Sequence, residues 1–320
     1  SSDLRAPKWR LRLGALDLAA RWRSIERDSG GGAEALQPDA VLATSMLSLA
    51  DLRATLPASL RSRPFILSMH ENQAAYPVAE HAPAGTEERD AHLAFTNLAS
   101  IEAADRVTWN SKWNRESFIE GMRAILRHAP ESIGDGWEHR LRGKSVVVPP
   151  PVEFAEIEDA AILRNTPAAD YQDRAGRHPR ELLVAWPHRW EHDKGCDELL
   201  ETAERAASEE AAGGPAIRWV ILGDGRDDPP AAMQRLLERH RDRIAHAGNV
   251  DRTTYLSWLH ACDWVLSTAR HEFFGIAVAE ALVARCLPWL PNHLAYPELV
   301  PEDAIELNPW SLEPGRDTEE

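Results

Sequence analysis

The sequence predicts an α/β protein built from two parallel β-sheets with crossover helices. Short apolar runs alternate with longer amphipathic stretches, which is the pattern of strands joined by helices in a parallel sheet. The pattern stops at Pro149–Pro151 and restarts near residue 181. We therefore expect an N-terminal domain over residues 1–150, a linker over 151–180 and a C-terminal domain over 181–320. Such sheets bind ligands beyond the carboxyl ends of their strands, and two sheets that face each other form a cleft.

Each strand is predicted from a short apolar run, and each helix from the amphipathic stretch that follows it. In the first domain the predicted strands are 40–44, 64–69, 105–109 and 145–148, and the predicted helices are 47–56, 88–103 and 112–128. In the second domain the predicted strands are 181–186, 217–222, 243–247, 263–268, 287–290 and a weaker one at 304–307, and the predicted helices are 195–211, 229–241, 252–261 and 276–285. The linker is polar and irregular, and we expect one helical turn in it.

Composition and charge restrict the class of protein. The 320 residues are 43% hydrophobic, but no apolar run approaches the roughly 20 residues of a membrane span. No charged-then-apolar leader opens the chain, so we expect no signal peptide and no membrane partner. Cys196, Cys262 and Cys286 lie in predicted core elements, which favours reduced cysteines and a cytoplasmic protein. The formal charge of −15 argues against broad, non-specific binding to nucleic acids, although the first 27 residues are basic.

The segment from Ser267 to Leu282 is the strongest indication of a ligand site. It leaves a predicted strand and enters a predicted helix, with Glu272 in the loop and Glu280 roughly 7 Å along the helix axis. Gly275 has no side chain, so a ligand can approach its backbone, and the N–H groups that begin the helix suit a diphosphate. The two carboxylates can then accept hydrogen bonds from a sugar and a ribose joined by that diphosphate. A capped helix with two acidic residues is the alternative, and the strand–loop–helix setting favours the nucleotide-sugar site.

A second strand-to-helix turn runs from Trp186 to Gly195. Arg189 offers a fork for phosphate and Lys194 a mobile point charge, so together they can neutralise a leaving diphosphate. His188 and His192 have the spacing of a zinc pair, but they fall in a proline-containing turn with no clear third ligand, which disfavours zinc. A solvated turn with a few ion pairs is the other alternative.

Polar side chains also follow two predicted strands of the first domain. Ser68–Gln73 contains His70, which could bond a sugar hydroxyl, donate to phosphate or transfer a proton, and Asn72, which could instead cap a helix. Trp109–Phe118 begins with Asn110 and Ser111, either of which could be only an N-cap. Glycine turns at Gly223 and at Gly248–Val250 allow close approach of a ligand but are weak indications by themselves.

These motifs together resemble a known family. The paired glutamates and the Arg-x-x-x-x-Lys turn resemble retaining glycosyltransferases of the GT-B fold, family 4, which have two Rossmann-like domains facing each other across a cleft. The set H-E-N-Q, W-N-S-x-x-N-x-E-S-F, W-P-H-R-W-E-H-D-K and A-R-H-E-F-F-G resembles the tRNA-queuosine α-mannosyltransferases, from about Lys8 to about Leu307. Family members begin with a strand and a glycine-rich turn that this sequence lacks, so we expect the first strand of the N-terminal domain to be missing.

The resemblance implies transfer of mannose from GDP-mannose to queuosine at the tRNA wobble position, with retained configuration and no metal ion or other cofactor. It implies that the catalytic residues are His70, Arg189, Lys194 and Glu272. It implies a donor site formed by Gly223, Val250, His271, Phe273, Phe274, Gly275 and Glu280. It implies an acceptor site formed by Glu71, Asn72, Gln73, Asn110, Ser111, Lys112 and Arg115.

Two further functions stay open from the sequence. The acidic composition favours a glycosyltransferase that acts on a small molecule or a lipid. A non-catalytic module that binds sugar nucleotides or nucleic acid is the third hypothesis. If tRNA is the acceptor, the candidate surface for it is the basic strip from Lys8 to Arg27, joined by Lys112, Arg115 and Arg123.

Overall fold

A computed structural model describes residues 7–28, 38–75, 86–129, 133–160, 168, 181–225 and 229–300. The chain divides into two units, Ser1–Pro149 and Pro150–Glu320. Within the described ranges the first unit contains helices α1 (Pro7–Asp28), α2 (Leu49–Thr55), α3 (Ala58–Arg61), α4 (Thr86–Ala103), α5 (Lys112–Leu126) and α6 (Trp137–Gly143), and strands β1 (Val41–Thr44), β2 (Phe65–Met69), β3 (Arg106–Trp109) and β4 (Ser145–Val147). The described part of the second unit contains helices α7 (Phe154–Ala160), α8 (Cys196–Ala211), α9 (Ala231–Arg239), α10 (Arg252–Ala261) and α11 (Ile276–Val283), and strands β5 (Glu181–Pro187), β6 (Ala216–Leu222), β7 (Ile244–Gly248), β8 (Trp264–Leu266) and β9 (Leu287–Trp289).

The strands of the first unit form a parallel sheet in the order β1-β2-β3-β4. Its buried core lies on one face of the sheet, where Phe65, Leu67 and Trp109 pack against α1, α2, α4, α5 and α6. Strand side chains alternate between the two faces, and on the opposite face Leu42 and Val146 are 69% and 49% exposed. The helices of this unit therefore position the carboxyl ends of the strands from one side.

The second unit has a parallel sheet in the order β7-β6-β5-β8-β9, and both of its faces are buried. Helices α7, α10 and α11 contribute to the core on one face, and α8 and α9 to the core on the other. Such two-sided burial explains why β5 and β6 are nearly continuous apolar runs. The two α/β units with parallel sheets confirm the predicted fold class.

Several elements of the chain differ from the sequence prediction. The basic N-terminal stretch, for which no helix was expected, contains α1, whose Ala15 and Ala19 are fully buried. The expected linker contains α7, which at seven residues is longer than the single helical turn expected there, and its Ile157 is buried in the second unit, as is Ala168. Helices α3 and α6 were not predicted. The weaker strand expected at 304–307 lies outside the described residues.

Two further features of the chain are the environment of its cysteines and the hydropathy of its helices. Cys196, Cys262 and Cys286 are buried, and burial raises the pKa of the Cys196 thiol to about 12. Among the described helices, none combines the length and apolar character needed to cross a bilayer.

We predict that Gly121→Ala destabilises the first unit by about 1–3 kcal/mol. A Cβ at Gly121 would overlap the backbone carbonyl of Ala74, which holds the loop after β2 against α5. Gly143→Ala is the control, because a Cβ there meets no atom within 4 Å and alanine favours helix. Chemical denaturation should show Gly143→Ala unchanged or stabilised by up to about 1 kcal/mol. Equal effects of the two substitutions would contradict the close packing of this loop.

Candidate active site

The centre of the second unit's site is the contact between the turn after β5 and the end of β8. Gly195 has a left-handed backbone, with φ 70°, and a Cβ there would overlap the carbonyl oxygen of Thr268. The Thr268 hydroxyl lies 3.0 Å from the Lys194 carbonyl oxygen and 2.9 Å from that of Gly195, and it accepts a hydrogen bond from the Trp186 indole. Two neighbouring strand ends are therefore fixed together at the carboxyl edge of the sheet.

This contact places the ammonium of Lys194 in a nearly buried cluster. Its side chain is 10% exposed, and Nζ donates to the His271 carbonyl oxygen at 2.9 Å. Nζ also lies 3.1 Å from the Asp193 carboxylate and 3.3 Å from that of Glu272. The structure thus brings the lysine and the first glutamate of the sequence prediction into direct contact.

Glu272 lies just before α11, as the strand–loop–helix pattern predicts. Gly275 is the left-handed N-cap of this helix, with φ 88°, so the first N–H groups of α11 begin close to the glutamate. A Cβ on Gly275 would lie 3.2 Å from the Tyr296 ring, and the Tyr296 hydroxyl is hydrogen bonded to Ser267. The cation, the carboxylate and the helix N-terminus form a site suited to an anionic ligand that also carries hydroxyl groups.

Phe273 and Phe274, two of the predicted donor residues, are buried beside this loop. The ring of His271 lies edge-on to that of Phe273, with 4.3 Å between centroids. Burial, with the nearby charge of Lys194, lowers the pKa of His271 to about 4. These side chains support the loop that carries Glu272, and their backbone is the part available to a ligand.

Glu280 lies on α11 and has close partners of its own. Its side chain is 12% exposed, and its carboxylate is 2.7 Å from the guanidinium of Arg252. Burial, followed by the charge of Glu280, raises the pKa of Tyr255. The second glutamate is therefore held in position by Arg252, at the start of α10.

The remaining predicted donor residues lie at or near the same strand ends. The Arg189 side chain is 59% exposed, with its guanidinium 3.3 Å from Glu191. Gly223 follows β6, and a Cβ there would overlap the carbonyl oxygen of His188, so this glycine is required for packing between two turns. Val250 follows β7 and packs partly buried against the core.

His188 is buried at the end of β5. Burial, with the charge of Lys194, lowers the pKa of His188 to about 3, so its imidazole is neutral. Its Nε2 has no hydrogen-bond partner within the described part of the chain. His192 instead lies beside the guanidinium of Arg270, at 3.4 Å.

In the first unit, His70 lies at the end of β2, next to the end of β1. Its Nδ1 is 3.2 Å from the hydroxyl of Ser45, and the same hydroxyl accepts a hydrogen bond from the Glu71 N–H. The backbone N–H of Gln73 donates to Asn97, which also binds the Ser45 carbonyl. His70, Glu71 and Gln73 are partly buried and accessible at the carboxyl edge of the sheet.

The asparagines and Ser111 have structural partners instead. Asn72 is fully buried and donates to the backbone and side-chain oxygens of Asn114, at 3.1 and 2.6 Å. Asn110 donates to the His70 carbonyl and accepts a hydrogen bond from Asn114, and Ser111 is the N-cap of α5. This network accounts for the polar atoms of Asn72 and Asn110 within the fold, and it fixes the backbone that carries His70.

Several arginines of the expected basic strip are paired with acidic or backbone groups. Arg115 lies 2.9 Å from Glu116, and Arg123 is paired with Glu138. On α1, Arg21 lies 2.9 Å from Asp17, and Arg23 donates to the Thr55 carbonyl. Lys112 is exposed.

Sequence reasoning missed three residues of these clusters. Asp193 immediately precedes Lys194, but nothing in the local sequence indicates that the Asp193 carboxylate contacts the Lys194 ammonium. Arg252 and Tyr255 follow Val250 in the sequence, where only the glycine turn was noted. The spacing of three between Arg252 and Tyr255 places both on one side of a predicted helix, which was the available signal.

Comparison with known proteins defines the class to which this fold and site belong. Residues 181–303 match the family described as glycosyl transferases group 1. Among solved structures, the α,α-trehalose-phosphate synthase of Burkholderia xenovorans has a TM-score of 0.61 at 14% identity, covering 93% of this chain and 66% of that one. Anabaena HepE with UDP-glucose has a TM-score of 0.52 at 17% identity, covering 82% and 62%. The chain spans less than two thirds of the length of either. The likeness to these structures shows the fold, which is that of the GT-B glycosyltransferases.

The family within this class follows from two further matches. Residues 4–152 match the family described as tRNA-queuosine alpha-mannosyltransferase N-terminal. The tRNA-queuosine alpha-mannosyltransferase of Drosophila melanogaster is 31% identical over 298 residues, which is 93% of this chain and 72% of the relative. This chain therefore belongs to the tRNA-queuosine alpha-mannosyltransferase family. A 2-deoxystreptamine N-acetyl-D-glucosaminyltransferase of Streptomyces fradiae is 25% identical over 246 residues, 72% of this chain and 49% of that one.

We predict that Gly195→Ala abolishes most of the glycosyltransferase activity. The substituted Cβ would push the turn away from Thr268 and displace Lys194, and a misplacement of about 1 Å can cost roughly 100-fold in rate. Gly213→Ala is the matched control, because Gly213 also has a positive φ, 95°, but a Cβ there meets nothing within 4 Å. Both variants have backbone strain, so donor turnover that falls equally in both would contradict the role of the Gly195–Thr268 contact.

We predict that acidification destabilises the second unit partly through His188. Below about pH 6.5 the unfolded chain protonates this imidazole, whereas the folded chain does not until pH is about 3. The free energy of unfolding therefore decreases as the pH is lowered through this window, by roughly 1.4 kcal/mol per pH unit for one histidine. Above about pH 6.5 this histidine has no effect on it. His188→Gln should flatten the dependence between pH 6 and pH 4.5 in denaturant titrations. An unchanged slope would contradict this assignment.

Proposed function

We propose that this protein transfers mannose from GDP-mannose to queuosine at the tRNA wobble position, with retention of configuration. The observation that supports a nucleotide-sugar donor is the position of Lys194, 3.3 Å from Glu272 and close to the start of α11. Queuosine in tRNA as the acceptor is supported by the relative from Drosophila melanogaster, a tRNA-queuosine alpha-mannosyltransferase by its name.

In this proposal the diphosphate of the donor lies between the start of α11 and the side chains of Lys194 and Arg189. The ammonium is already desolvated, so its attraction to a leaving diphosphate is stronger than in water. Arg189 is largely exposed and free to approach the same phosphates from solvent. Because two cations neutralise the leaving group, the proposal needs no metal ion.

The two glutamates then bind opposite ends of the donor. Glu272 accepts hydrogen bonds from mannose hydroxyls, assisted by backbone groups of Phe273–Gly275, and Glu280 accepts from the ribose. The donor phosphate assists deprotonation of the acceptor hydroxyl, which then attacks on the face that the leaving group vacates. The carboxylates of Asp193 and Glu272 lie 3.1 and 3.3 Å from the Lys194 ammonium, and together they keep it in place before the donor binds.

For the acceptor, we assign recognition to His70, Glu71 and Gln73, whose side chains are accessible, together with Lys112 and Arg115. The hydrogen bond between His70 and Ser45 fixes the orientation of the imidazole. A fixed imidazole can bond a cyclopentene hydroxyl or take part in proton transfer.

A small-molecule acceptor is the second candidate. The net charge of −15 and the pairing of Arg115 and Arg123 with glutamates favour it. The Streptomyces relative, by its name, acts on the small aminocyclitol 2-deoxystreptamine.

We predict that label from GDP-[¹⁴C]mannose enters tRNA only when the tRNA contains queuosine. The substrate pair is total tRNA from queuine-fed cells and the same tRNA from queuine-deprived cells, which differ at the wobble base. Lys194→Met should lower kcat/KM by at least about 100-fold, because a desolvated charge that meets the leaving group is lost. Arg239→Met is the control for loss of one positive charge, since Arg239 pairs with Glu204 on the other face of the unit.

Three outcomes would contradict parts of the proposal. Label that enters an aminocyclitol or a lipid extract but not queuosine tRNA would favour the second candidate. Turnover with UDP-glucose but not GDP-mannose would overturn the donor. Donor binding without any turnover by the unmodified protein would indicate a binding module.

A further inference from the structure

Glu280 is not an isolated carboxylate waiting for a ligand. One of its oxygens lies 2.7 Å from the guanidinium of Arg252. A carboxylate has about four acceptor positions, so this partner leaves room for two ribose hydroxyls. The position of Arg252 determines which lone pairs of Glu280 remain available and where they point.

Arg252 is itself anchored from the other side. Its Nε and terminal nitrogen donate to one oxygen of Glu156 at 3.2 and 2.9 Å, and its guanidinium lies over the Tyr255 ring at 5.4 Å. Glu156 belongs to α7, which packs against both α10 and α11. The guanidinium is therefore fixed between an exposed carboxylate and a nearly buried one.

The position of Arg252 is unfavourable for its own helix. It is the first residue of α10, where the positive end of the helix dipole disfavours a cation. The carboxylates of Glu156 and Glu280 offset this cost. We therefore interpret Arg252 as a residue that orients Glu280, and not as one that stabilises α10. A planar guanidinium with fixed donors orients a carboxylate better than a flexible ammonium does.

We propose that Arg252 is the positioning residue of the ribose subsite: it holds Glu280 so that the free lone pairs of the carboxylate meet the ribose hydroxyls of the donor nucleotide. Glu156 fixes Arg252 in turn. The inference rests on the proposed donor site, and it adds a residue that acts only through Glu280.

The test measures binding of GDP and of 2′,3′-dideoxy-GDP by calorimetry. For the unmodified protein, GDP should bind at least about 10-fold more tightly than the dideoxy form, because hydrogen bonds to a charged acceptor are strong. Arg252→Met should remove most of that difference while changing dideoxy-GDP affinity less than about threefold. Retained affinity for dideoxy-GDP also shows that the variant is folded.

Further variants separate positioning from simple charge. Arg252→Met combined with Glu280→Gln should weaken GDP no more than Glu280→Gln alone, because one residue acts through the other. Arg252→Lys should restore part of the difference, and Glu156→Gln should lose part of it. Arg239→Met, which removes an equivalent charge from α9, should leave the difference intact.

The outcomes distinguish this inference from the function on which it rests. If the unmodified protein binds neither form of GDP, the donor site itself is overturned, and this proposal with it. If it prefers the ribose form but Arg252→Met weakens both forms by the same factor, the donor site stands and Arg252 contributes charge alone. An unchanged preference in Arg252→Met would also overturn the positioning role.

Discussion

The backbones of Gly195 and Thr268 lie in direct contact, and the position of the second unit's charged groups depends on that contact. Lys194 immediately precedes the glycine, and Glu272 follows the threonine by a short loop. The Thr268 hydroxyl ties both backbone carbonyls of the turn to the Trp186 indole inside the sheet. The two backbone segments that carry the ammonium and the carboxylate are therefore fixed relative to each other. A preorganised cation needs no rearrangement when charge develops on a leaving group.

Other residues expected to contact a ligand are also held in place by neighbouring side chains. His271 and Phe273 pack behind the loop of Glu272, and Arg252 with Tyr255 packs against Glu280. In the first unit, Asn114 supports the strand end that carries His70. In each case the residue available to a ligand is partly exposed, and the one that orients it is more deeply buried or anchored by a second contact.

Much of the fold could be predicted because short apolar runs, which form strands, alternate clearly with longer amphipathic stretches, which form helices. Runs such as those of β5 and β6 are buried on both faces, so they are continuously apolar and hard to confuse with loops. Helix α1 could not be predicted in this way, because the residues it buries include Ala15 and Ala19, which contrast little with their neighbours. Only one helical turn was expected where α7 lies, because its buried residue Ile157 is one apolar residue among acidic ones and the helix has little amphipathic pattern.

The sequence also indicated which strand ends carry the site, but not how side chains pair there. Lys194 and Glu272 were each expected in a turn that follows a predicted strand, and the carboxyl ends of parallel strands share one edge. Whether Asp193 turns toward Lys194, or Arg252 toward Glu280, depends on tertiary contacts that no spacing encodes. The burial of Asn72 is of the same kind, because its partner Asn114 comes from a helix far along the chain.

The paired arginines of the first unit have a consequence for how it would meet any polyanion. Ion pairs join Arg115 to Glu116, Arg123 to Glu138 and Arg140 to Glu102. A phosphate that binds a paired arginine displaces the carboxylate of the neighbouring glutamate. A phosphate that binds an unpaired arginine instead releases counterions into solution, and this release makes the affinity depend on salt concentration. The affinity of a polyanion for this surface should therefore fall less steeply with ionic strength than the number of phosphate contacts implies. Selectivity there would come from shape and from individual hydrogen bonds, with little long-range attraction.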